Sequence, residues 1–371
     1  MQTETIRLSS NAPGTHHELQ VLRFGKPGAR PKAYVQGALH ADEVPAILVT
    51  QQLRALLLAL EASAEMVGEV VLVPFANPLG LVQTVLGQHH GRFDLSDGGN
   101  FNRSFADLSG AVMLAVAGSL TDDASANTDV IRAALRHGAN QLQAHTPAED
   151  LKNRLLQLAV DADVVLDLHC DSEAVMHLYA LTPHRTPALE LAAALQARAV
   201  LLATESGGSP FDEACTRPWY LLQQSQPSGT VELACFAATV ELRGTADTNH
   251  ALAHGDATGL VQFLRLRGVL TPADSALPTP ACEATPLSGS EPITAPHAGV
   301  VVFRCEPGQQ VAPGDAIADL VDALTGATTT VRCTSGGLLY ARCSSRWATP
   351  GKRLAKIAGT SLARTGALLS P

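Results

Sequence analysis

The sequence lacks an apolar run of 18 residues, and its N-terminus, Met1-Gln-Thr-Glu-Thr, lacks the basic and apolar regions of a signal peptide. We therefore expect no membrane partner and a cytoplasmic location. Cysteine is sparse and unpaired in pattern: seven cysteines, an odd number, occur at 170, 215, 235, 282, 305, 333 and 343 without any CxxC. Reduced thiols are the simplest interpretation, as in most cytoplasmic proteins.

Positively charged residues are fewer than negatively charged residues. The 26 Lys and Arg residues against 35 Asp and Glu residues give a net charge of −9 and a pI near 5.8. This balance argues against nucleic acid or an anionic membrane as the main partner, although a local basic pocket is compatible with it. Only 4% of the residues are aromatic, but 46% are hydrophobic, which is enough for a sizeable core. A length of 371 residues predicts two domains.

Apolar periodicity predicts alternating strands and helices in the first 270 residues. Ala33–Ala38 and Val70–Phe75 have the pattern of buried strands, and a helical stripe runs over Glu43–Glu61 between them. This unit implies a parallel or mixed sheet with helices on its faces. Further strands are predicted over Asp163–Leu168, Val175–Leu181, Ala199–Ala203 and Ala234–Leu242, and further helices over Pro147–Val160, Pro187–Ala197 and Asp247–Arg267. Gly207–Pro218 is predicted to be a loop, and the alanine-rich stretch before Pro147 has no assigned form.

Residues 271–292, rich in Pro, Ser, Thr and Ala, are predicted to link a domain of residues 1–270 to a second domain of residues 293–371. Beyond the linker the sequence shows short β runs separated by Pro-Gly and Ser-Gly turns and no helical pattern. This pattern predicts a small all-β domain.

The best candidate for a metal site begins with His40 and Glu43, three residues apart at the start of the helical pattern. Side chains at i and i+3 of a helical turn point the same way, so imidazole and carboxylate could share one ion. Zinc in hydrolases usually takes three protein ligands and leaves one position to water. His169, which follows Asp167-Leu168 at the end of a predicted strand, is the best third ligand. Asp167 lies on the same strand face as His169. Its carboxylate could orient the His169 imidazole or form a hydrogen bond within the core, and the sequence favours neither role.

Four other residues complete the candidate site. Glu241 is the candidate general base, which would take a proton from the attacking water and pass it to the leaving amine. Arg92, in the polar glycine-rich loop from Gly87 to Phe105, is a candidate for stabilising the oxyanion. Asn102 and Arg103 in the same loop are candidates for holding a substrate carboxylate, with Arg as a bidentate clamp.

Five motifs follow one another in the chain: Gly37-Ala-Leu-His40-Ala-Asp-Glu43, Asn77-Pro78, Arg92 with Asn102-Arg103-Ser-Phe105, Asp167-Leu168-His169, and Thr239-Val240-Glu241-Leu242-Arg243-Gly244. In this order, over residues 33 to 267, the sequence resembles the succinylglutamate desuccinylase/aspartoacylase family, deacylases related to the zinc carboxypeptidases. The resemblance implies a phosphorylase/hydrolase-like α/β fold with a mixed central sheet and helices on both faces. It also implies one zinc ion (Zn²⁺) per chain and hydrolysis of an amide.

The sequence departs from the family pattern in one loop, where Asn100-Phe stands in place of the usual Asp-Leu and an extra Gly-Gly precedes it. This loop is therefore expected to be longer and shaped for another substrate. Two Val-Glu-Leu runs also occur, at Glu232 and Glu241. Glu241 is preferred as the base because its run continues to Arg243-Gly244 as in the family.

The second domain resembles a biotinyl/lipoyl-type β barrel, from Thr294-Ala-Pro-His and Pro307-Gly-Gln onward. The hairpin Val321-Asp-Ala-Leu-Thr-Gly-Ala has no lysine where a carrier lysine would stand, so attached biotin or lipoate is not expected. The barrel-like domain is expected to act in structure, substrate gating or oligomer contacts.

The sequence therefore predicts a zinc-dependent hydrolase of an N-acyl amino acid or a similar small carboxylated amide. Two alternatives stay open: a carboxypeptidase or peptidoglycan-type amidase with the same metal site, and a non-catalytic small-molecule binding protein of the same fold. The acyl group, the amino acid and the oligomeric state, including a homo-oligomer, are not decided by the sequence.

Overall fold

The chain folds around one large mixed sheet, followed by two small antiparallel sheets. The computed structural model describes residues 1–226, 229–273 and 276–369. In chain order the strands are β1 (Gln2–Arg7), β2 (Glu18–Phe24), β3 (Lys32–Gly37), β4 (Glu69–Val73), β5 (Thr84–Val85), β6 (Gln88–His89), β7 (Val164–Asp171), β8 (Glu173–Ala174), β9 (His177–Leu181), β10 (Ala199–Ala203), β11 (Phe236–Gly244), β12 (Ala284–Pro286), β13 (Glu291–Thr294), β14 (Gly299–Phe303), β15 (Gln310–Val311), β16 (Ala316–Val321), β17 (Thr328–Arg332), β18 (Gly337–Arg342), β19 (Trp347–Ala348) and β20 (Arg353–Ala358).

The helices are α1 (Pro45–Ala62), α2 (Pro78–Leu81), α3 (Ser109–Ala115), α4 (Ala124–Asn140), α5 (Pro147–Ala159), α6 (Arg185–Leu195), α7 (Phe211–Ser225) and α8 (His250–Leu266), with 3₁₀ turns at Thr182–His184 and Leu287–Gly289. Within the described ranges, none of these helices is long and apolar enough to cross a membrane.

The nine strands of the large sheet lie in the order β1-β2-β4-β3-β7-β11-β9-β10-β12. The central strands β4, β3, β7 and β11 are mutually parallel, whereas β9 runs antiparallel to β11. The sheet is therefore mixed, as the sequence predicted. Parallel neighbours place their carboxyl ends at one edge, where α/β proteins gather functional side chains.

Helices cover both faces of this sheet because neighbouring residues of each buried strand point to opposite sides. On β3, Val35 packs in one apolar cluster with α1, α6 and α8, whereas Tyr34 packs in another with α3, α4, α5 and α7. The central strands are accordingly buried on both sides and apolar along most of their length, as is typical of parallel sheets.

One predicted loop is wrong. Helix α7 begins at Phe211, inside the segment Gly207–Pro218 that was expected to be irregular, and contains Pro218. The proline obscured the helical spacing of the buried residues Phe211, Cys215, Trp219 and Leu222, which pack on the sheet. A proline inside a helix removes one backbone hydrogen bond, and here burial of this apolar face outweighs that loss. The alanine-rich stretch without an assigned form contains α3 and α4.

The C-terminal part contains two four-stranded antiparallel sheets, in the orders β13-β20-β18-β15 and β17-β16-β14-β19. Their inner faces share one apolar cluster that includes Val301, Ile317 and Leu339. We call residues 291–358 the C-terminal β module. Its barrel-like form and the domain division stay predictions. Part of the predicted linker joins the large sheet as β12, and residues 274 and 275 of that linker lie outside the described residues.

The module is attached to the large sheet at the carboxyl end of β7. Strand β8 pairs antiparallel with β18, and Glu173 of β8 forms ion pairs with Arg342 and Arg346 of the module. Lys356 of β20 forms an ion pair with Asp171 at the end of β7. The module therefore lies directly beside the strand end that carries His169.

The glycine of the first motif has a steric role. A Cβ atom at Gly37 would lie 2.9 Å from Thr50 Cγ2 and 3.0 Å from the carbonyl oxygen of Ala46, both on α1. We expect Gly37→Ala to lower the free energy of unfolding by about 1–3 kcal/mol because it pushes α1 away from β3. Urea unfolding measures this change.

The matched control is Gly255→Ala in α8, where a Cβ atom meets nothing within 4 Å. Alanine is favoured over glycine inside a helix, so this variant is expected to gain up to about 1 kcal/mol. Equal destabilisation of the two variants would contradict the steric role of Gly37.

Candidate metal centre and surrounding cavity

His40 and Glu43 lie in a tight turn between β3 and α1. The sequence placed them at the start of the helix, but α1 begins at Pro45, and the Glu43 amide donates to the His40 carbonyl oxygen at 3.0 Å to close the turn. Ala38 enters the turn with a φ of 58°. The Asn77 side chain donates to the Leu39 carbonyl oxygen at 2.9 Å and so supports the turn from the Asn-Pro motif.

His169 reaches the same place from β7, which lies next to β3 and parallel to it. The Nδ1 atom of His40 is 2.8 Å from Glu43 Oε1, and the Nδ1 atom of His169 is 2.7 Å from Glu43 Oε2. One ligand atom from each of the three residues lies within 4.8 Å of the others. All three side chains are buried, so the structure brings the three predicted ligands together.

The second nitrogen atom of each imidazole also forms a hydrogen bond. His40 Nε2 lies 2.9 Å from Asn100 Oδ1, and His169 Nε2 lies 2.9 Å from Asp167 Oδ2. Gln36 in turn donates to the other oxygen of Asp167 at 2.9 Å. These acceptors favour a proton on Nε2 and leave the Nδ1 lone pairs directed at the Glu43 carboxylate, which is the arrangement seen around metal-ligating histidines.

This donor set fits a divalent cation. Two Nδ1 lone pairs and a carboxylate repel one another at hydrogen-bond distance unless a proton or a cation lies among them. Burial lowers the pKa of His40, whereas the Asp167 and Glu43 carboxylates overcome burial and raise the pKa of His169. A proton on His169 or a cation on the three ligands would therefore relieve the repulsion. Two imidazoles and one carboxylate suit zinc and several other divalent metals.

Glu241 lies beside these ligands on β11, directly opposite His169 of β7. Burial, followed by the nearby Glu43 and Asp171 carboxylates, raises the pKa of Glu241 to about 8. Its Oε2 atom has no hydrogen-bond partner among the described residues. Three carboxylates thus crowd one buried region, and a cation on the ligand set would favour the ionised form of Glu241.

Six predicted residues line one cavity of about 330 Å³: His40, Arg92, Asn102, Arg103, His169 and Glu241. Arg92 donates to Glu43 Oε1 at 2.9 Å. Asn102 is buried, with Nδ2 3.2 Å from His169 Nε2 and with Oδ1 accepting from the Phe211 amide at 2.9 Å. Arg103 donates to the Asn102 carbonyl oxygen at 2.7 Å. The catalytic, binding and ligand roles of these residues stay predictions.

The sequence reasoning missed several residues of this site. Asp171 was detectable, because it is two residues beyond His169 on the same strand face. Asn100 was noticed only as a departure from the family pattern, but its side chain bonds His40. Lys356 belongs to the C-terminal β module and follows no motif, so no sequence signal places it at the cavity.

The fold and this site define a class: an α/β protein with a candidate divalent-metal site at the carboxyl ends of its central strands. The model of the succinylglutamate desuccinylase/aspartoacylase catalytic domain matches residues 29–123 and 132–267. The chain therefore belongs to the succinylglutamate desuccinylase/aspartoacylase family. Comparison with curated proteins finds no match.

Solved structures agree with this assignment. A family protein from Shewanella amazonensis is 29% identical, with 96% of this chain and 98% of that chain covered and a TM-score of 0.85. One from Shewanella frigidimarina is 24% identical, with 97% of each chain covered and a TM-score of 0.85. The ectoine utilization protein EutE (DoeB) from Ruegeria pomeroyi, in a product-bound structure, is 18% identical, with 97% and 95% covered and a TM-score of 0.67. The last two show similarity of fold alone.

The contact between Asp167 and His169 predicts an effect on metal affinity. Asp167→Asn replaces the acceptor of His169 Nε2 by a weaker one, so we expect the affinity for zinc to fall about 10- to 100-fold. Competition with a chelator of known affinity measures this change.

Asp150→Asn is the matched control. Asp150 lies on α5 and is also a buried carboxylate, but it accepts a hydrogen bond from the Ser9 amide at 2.7 Å. Its zinc affinity is expected to equal that of the unmodified protein. An unchanged affinity in Asp167→Asn would show that Asp167 serves the core and not the metal site.

Proposed function

We propose that the protein is a zinc-dependent deacylase that hydrolyses the amide bond of an N-acyl amino acid or a similar small carboxylated amide. The observation that carries the proposal is the convergence of His40, Glu43 and His169 beside the buried carboxyl of Glu241, at one cavity. Membership of a family whose name describes deacylases supports it.

His40, Glu43 and His169 would hold a zinc ion, which would supply a Lewis acid for the amide carbonyl and would make a bound water molecule more acidic. Glu241 accepts a proton from this water as the water oxygen bonds to the amide carbon. It then gives the proton to the amide nitrogen as the carbon–nitrogen bond breaks, so one carboxylate serves both steps. Burial raises the pKa of Glu241 to about 8, and a cation on the neighbouring ligands would lower this pKa toward neutrality, where a carboxylate can both accept and release the proton.

Two guanidinium groups from the polar loop, those of Arg92 and Arg103, bring positive charge to the cavity. Arg92 lies against Glu43 and lines the cavity, where it is placed to stabilise negative charge that develops on the carbonyl oxygen. Burial, and then the proximity of Arg92, lowers the pKa of Arg103. A carboxylate of the substrate would offset this repulsion, and Asn102 and Arg103 are placed to bind it.

The proposed base gives the first test. Glu241→Gln keeps the shape of the side chain but cannot accept the proton, so we expect turnover to fall at least about 100-fold while zinc content is retained. Assays with N-acetyl, N-succinyl and N-formyl amino acids and metal analysis of the same preparation measure both quantities.

Glu232→Gln is the matched control because Glu232 stands in the other Val-Glu-Leu run and lines a separate cavity. This variant is expected to keep full turnover. Loss of turnover in Glu232→Gln with retention in Glu241→Gln would reverse the assignment of the base.

Removal of the metal gives the second test. We expect purified protein to contain about one zinc ion per chain, because one set of three ligands leaves a single open position for water. A strong chelator should abolish turnover, and stoichiometric zinc should restore it. His169→Ala should lose both zinc and turnover. Turnover that persists in metal-free protein would contradict a zinc-dependent reaction.

A further inference from the structure

The cavity continues beyond the metal ligands along one face of the large sheet. Residues directly opposite in neighbouring strands present their side chains to the same face. Thr239 of β11 lies opposite Tyr179 of β9, and Tyr179 lies opposite Leu201 of β10. Glu241, two residues beyond Thr239, shares this face. The face that carries the proposed base thus extends to Tyr179 and Leu201.

The far end of this face is apolar. Leu181 and Ala203 form the next opposed pair of β9 and β10, and both line the cavity together with Tyr179 and Leu201. Neighbouring strands are about 4.8 Å apart and a strand rises about 3.4 Å per residue. In this register the backbone of Tyr179 lies about 8 Å and that of Leu201 about 12 Å from the backbone of Glu241, with Leu181 and Ala203 about 14 to 17 Å away. We call the four residues Tyr179, Leu181, Leu201 and Ala203 the apolar floor.

The C-terminal β module and the segments beside it close the cavity over this floor. Leu354 and Ala355 of β20 line it, as do Leu287 and Leu369. Tyr179 and Leu201 belong to one buried apolar cluster with Leu287 and with Ala341 of the module. Apolar residues of the sheet and of these segments therefore face each other across this end of the cavity, while polar residues before and at the start of α7 also line the cavity: Ser206, Asp212, Glu213 and Thr216.

The charged residues that the module adds to the cavity are already engaged. Arg342 forms ion pairs with Glu173 and Glu306, and Lys356 forms one with Asp171. Arg353, which also lines the cavity, has an interaction partner too. A second acidic group on a substrate would have to lose its hydration against the apolar floor without gaining an equivalent partner there.

We propose that the substrate carries an aliphatic or aromatic substituent that extends about 8–12 Å from the scissile amide onto the near part of the apolar floor, at Tyr179 and Leu201. The substrate class is an N-acyl amino acid with one carboxylate and a medium-sized apolar group, in preference to one with a second carboxylate. This inference rests on the proposed deacylase function, whose site it extends.

Binding to the zinc-loaded Glu241→Gln variant tests the inference apart from turnover, because hydrolysis is blocked there. Calorimetry would compare N-acetylleucine, N-acetylphenylalanine and N-hexanoylglycine with N-acetylaspartate and N-succinylglutamate, and with N-acetylglycine as the small reference. We expect at least one apolar ligand to bind about 10-fold or more tightly than N-acetylglycine, and the two acidic ligands to gain nothing over it.

A second variant places the binding on the floor. Ala203→Phe, added to Glu241→Gln, fills the space above β10 and should weaken the apolar ligands about 10-fold or more while it leaves N-acetylglycine unchanged. Ala251→Phe, at an exposed position of α8, is the matched control and should change no affinity. Melting temperatures of all variants confirm that they are folded.

The outcomes separate the two proposals. Three outcomes would overturn the proposal of an apolar substituent. The acidic ligands could bind more tightly, no ligand could bind, or Ala203→Phe could leave the affinity for the apolar ligands unchanged. If the apolar ligands bind selectively, Ala203→Phe removes this binding, and the protein hydrolyses none of these compounds, the result supports the apolar floor and overturns the deacylase function. Selective binding with hydrolysis of the same compounds supports both.

Discussion

The structure depends on the burial of three electron-pair donors at one point. His40, Glu43 and His169 are held within hydrogen-bond distance in a buried place, with their outer contacts already made by Asn100, Asp167 and Cys170. Such a group is costly without a positive charge at its centre, since buried lone pairs and carboxylates repel one another. The three residues could therefore hold a divalent cation, and the buried carboxyl group of Glu241 lies beside them.

The sheet topology makes this arrangement accessible to residues that are far apart in sequence. Glu43 and His169 are separated by 126 positions, but Glu43 follows β3 and His169 lies on β7, and these two strands are parallel neighbours whose carboxyl ends meet. Strand β11 continues the row on the other side of β7 and brings Glu241 opposite His169. The order β3-β7-β11 therefore brings the three candidate ligands and the proposed base together at one edge of the sheet.

The sequence predicted these residues because each one lies in a local pattern at the end of a strand. Alternation and apolar runs located β3, β7 and β11, and the motifs supplied the polar residue that follows or interrupts each run. The same reasoning failed at α7, where Pro218 hid the helical spacing, and at His40 and Glu43, which lie in a turn and not in the helix. It could not locate Lys356, because its contact with Asp171 depends on how two separately predicted parts of the chain pack together, which periodicity does not encode.

The residues proposed for the chemistry and the residues proposed to select the substrate lie on different strands. The ligands and Glu241 lie on β7, β11 and the turn after β3, whereas the apolar floor belongs to β9 and β10 and is closed by the C-terminal β module. Substitutions on the floor can change the shape and polarity of the cavity without moving a metal ligand, because the two groups lie on different strands of one rigid sheet. None of the motifs that identify the family lies on β9 or β10, so they carry no information about the substituent. For this chain, the substrate has to be inferred from the sheet face beside the metal site, not from the motifs that build it.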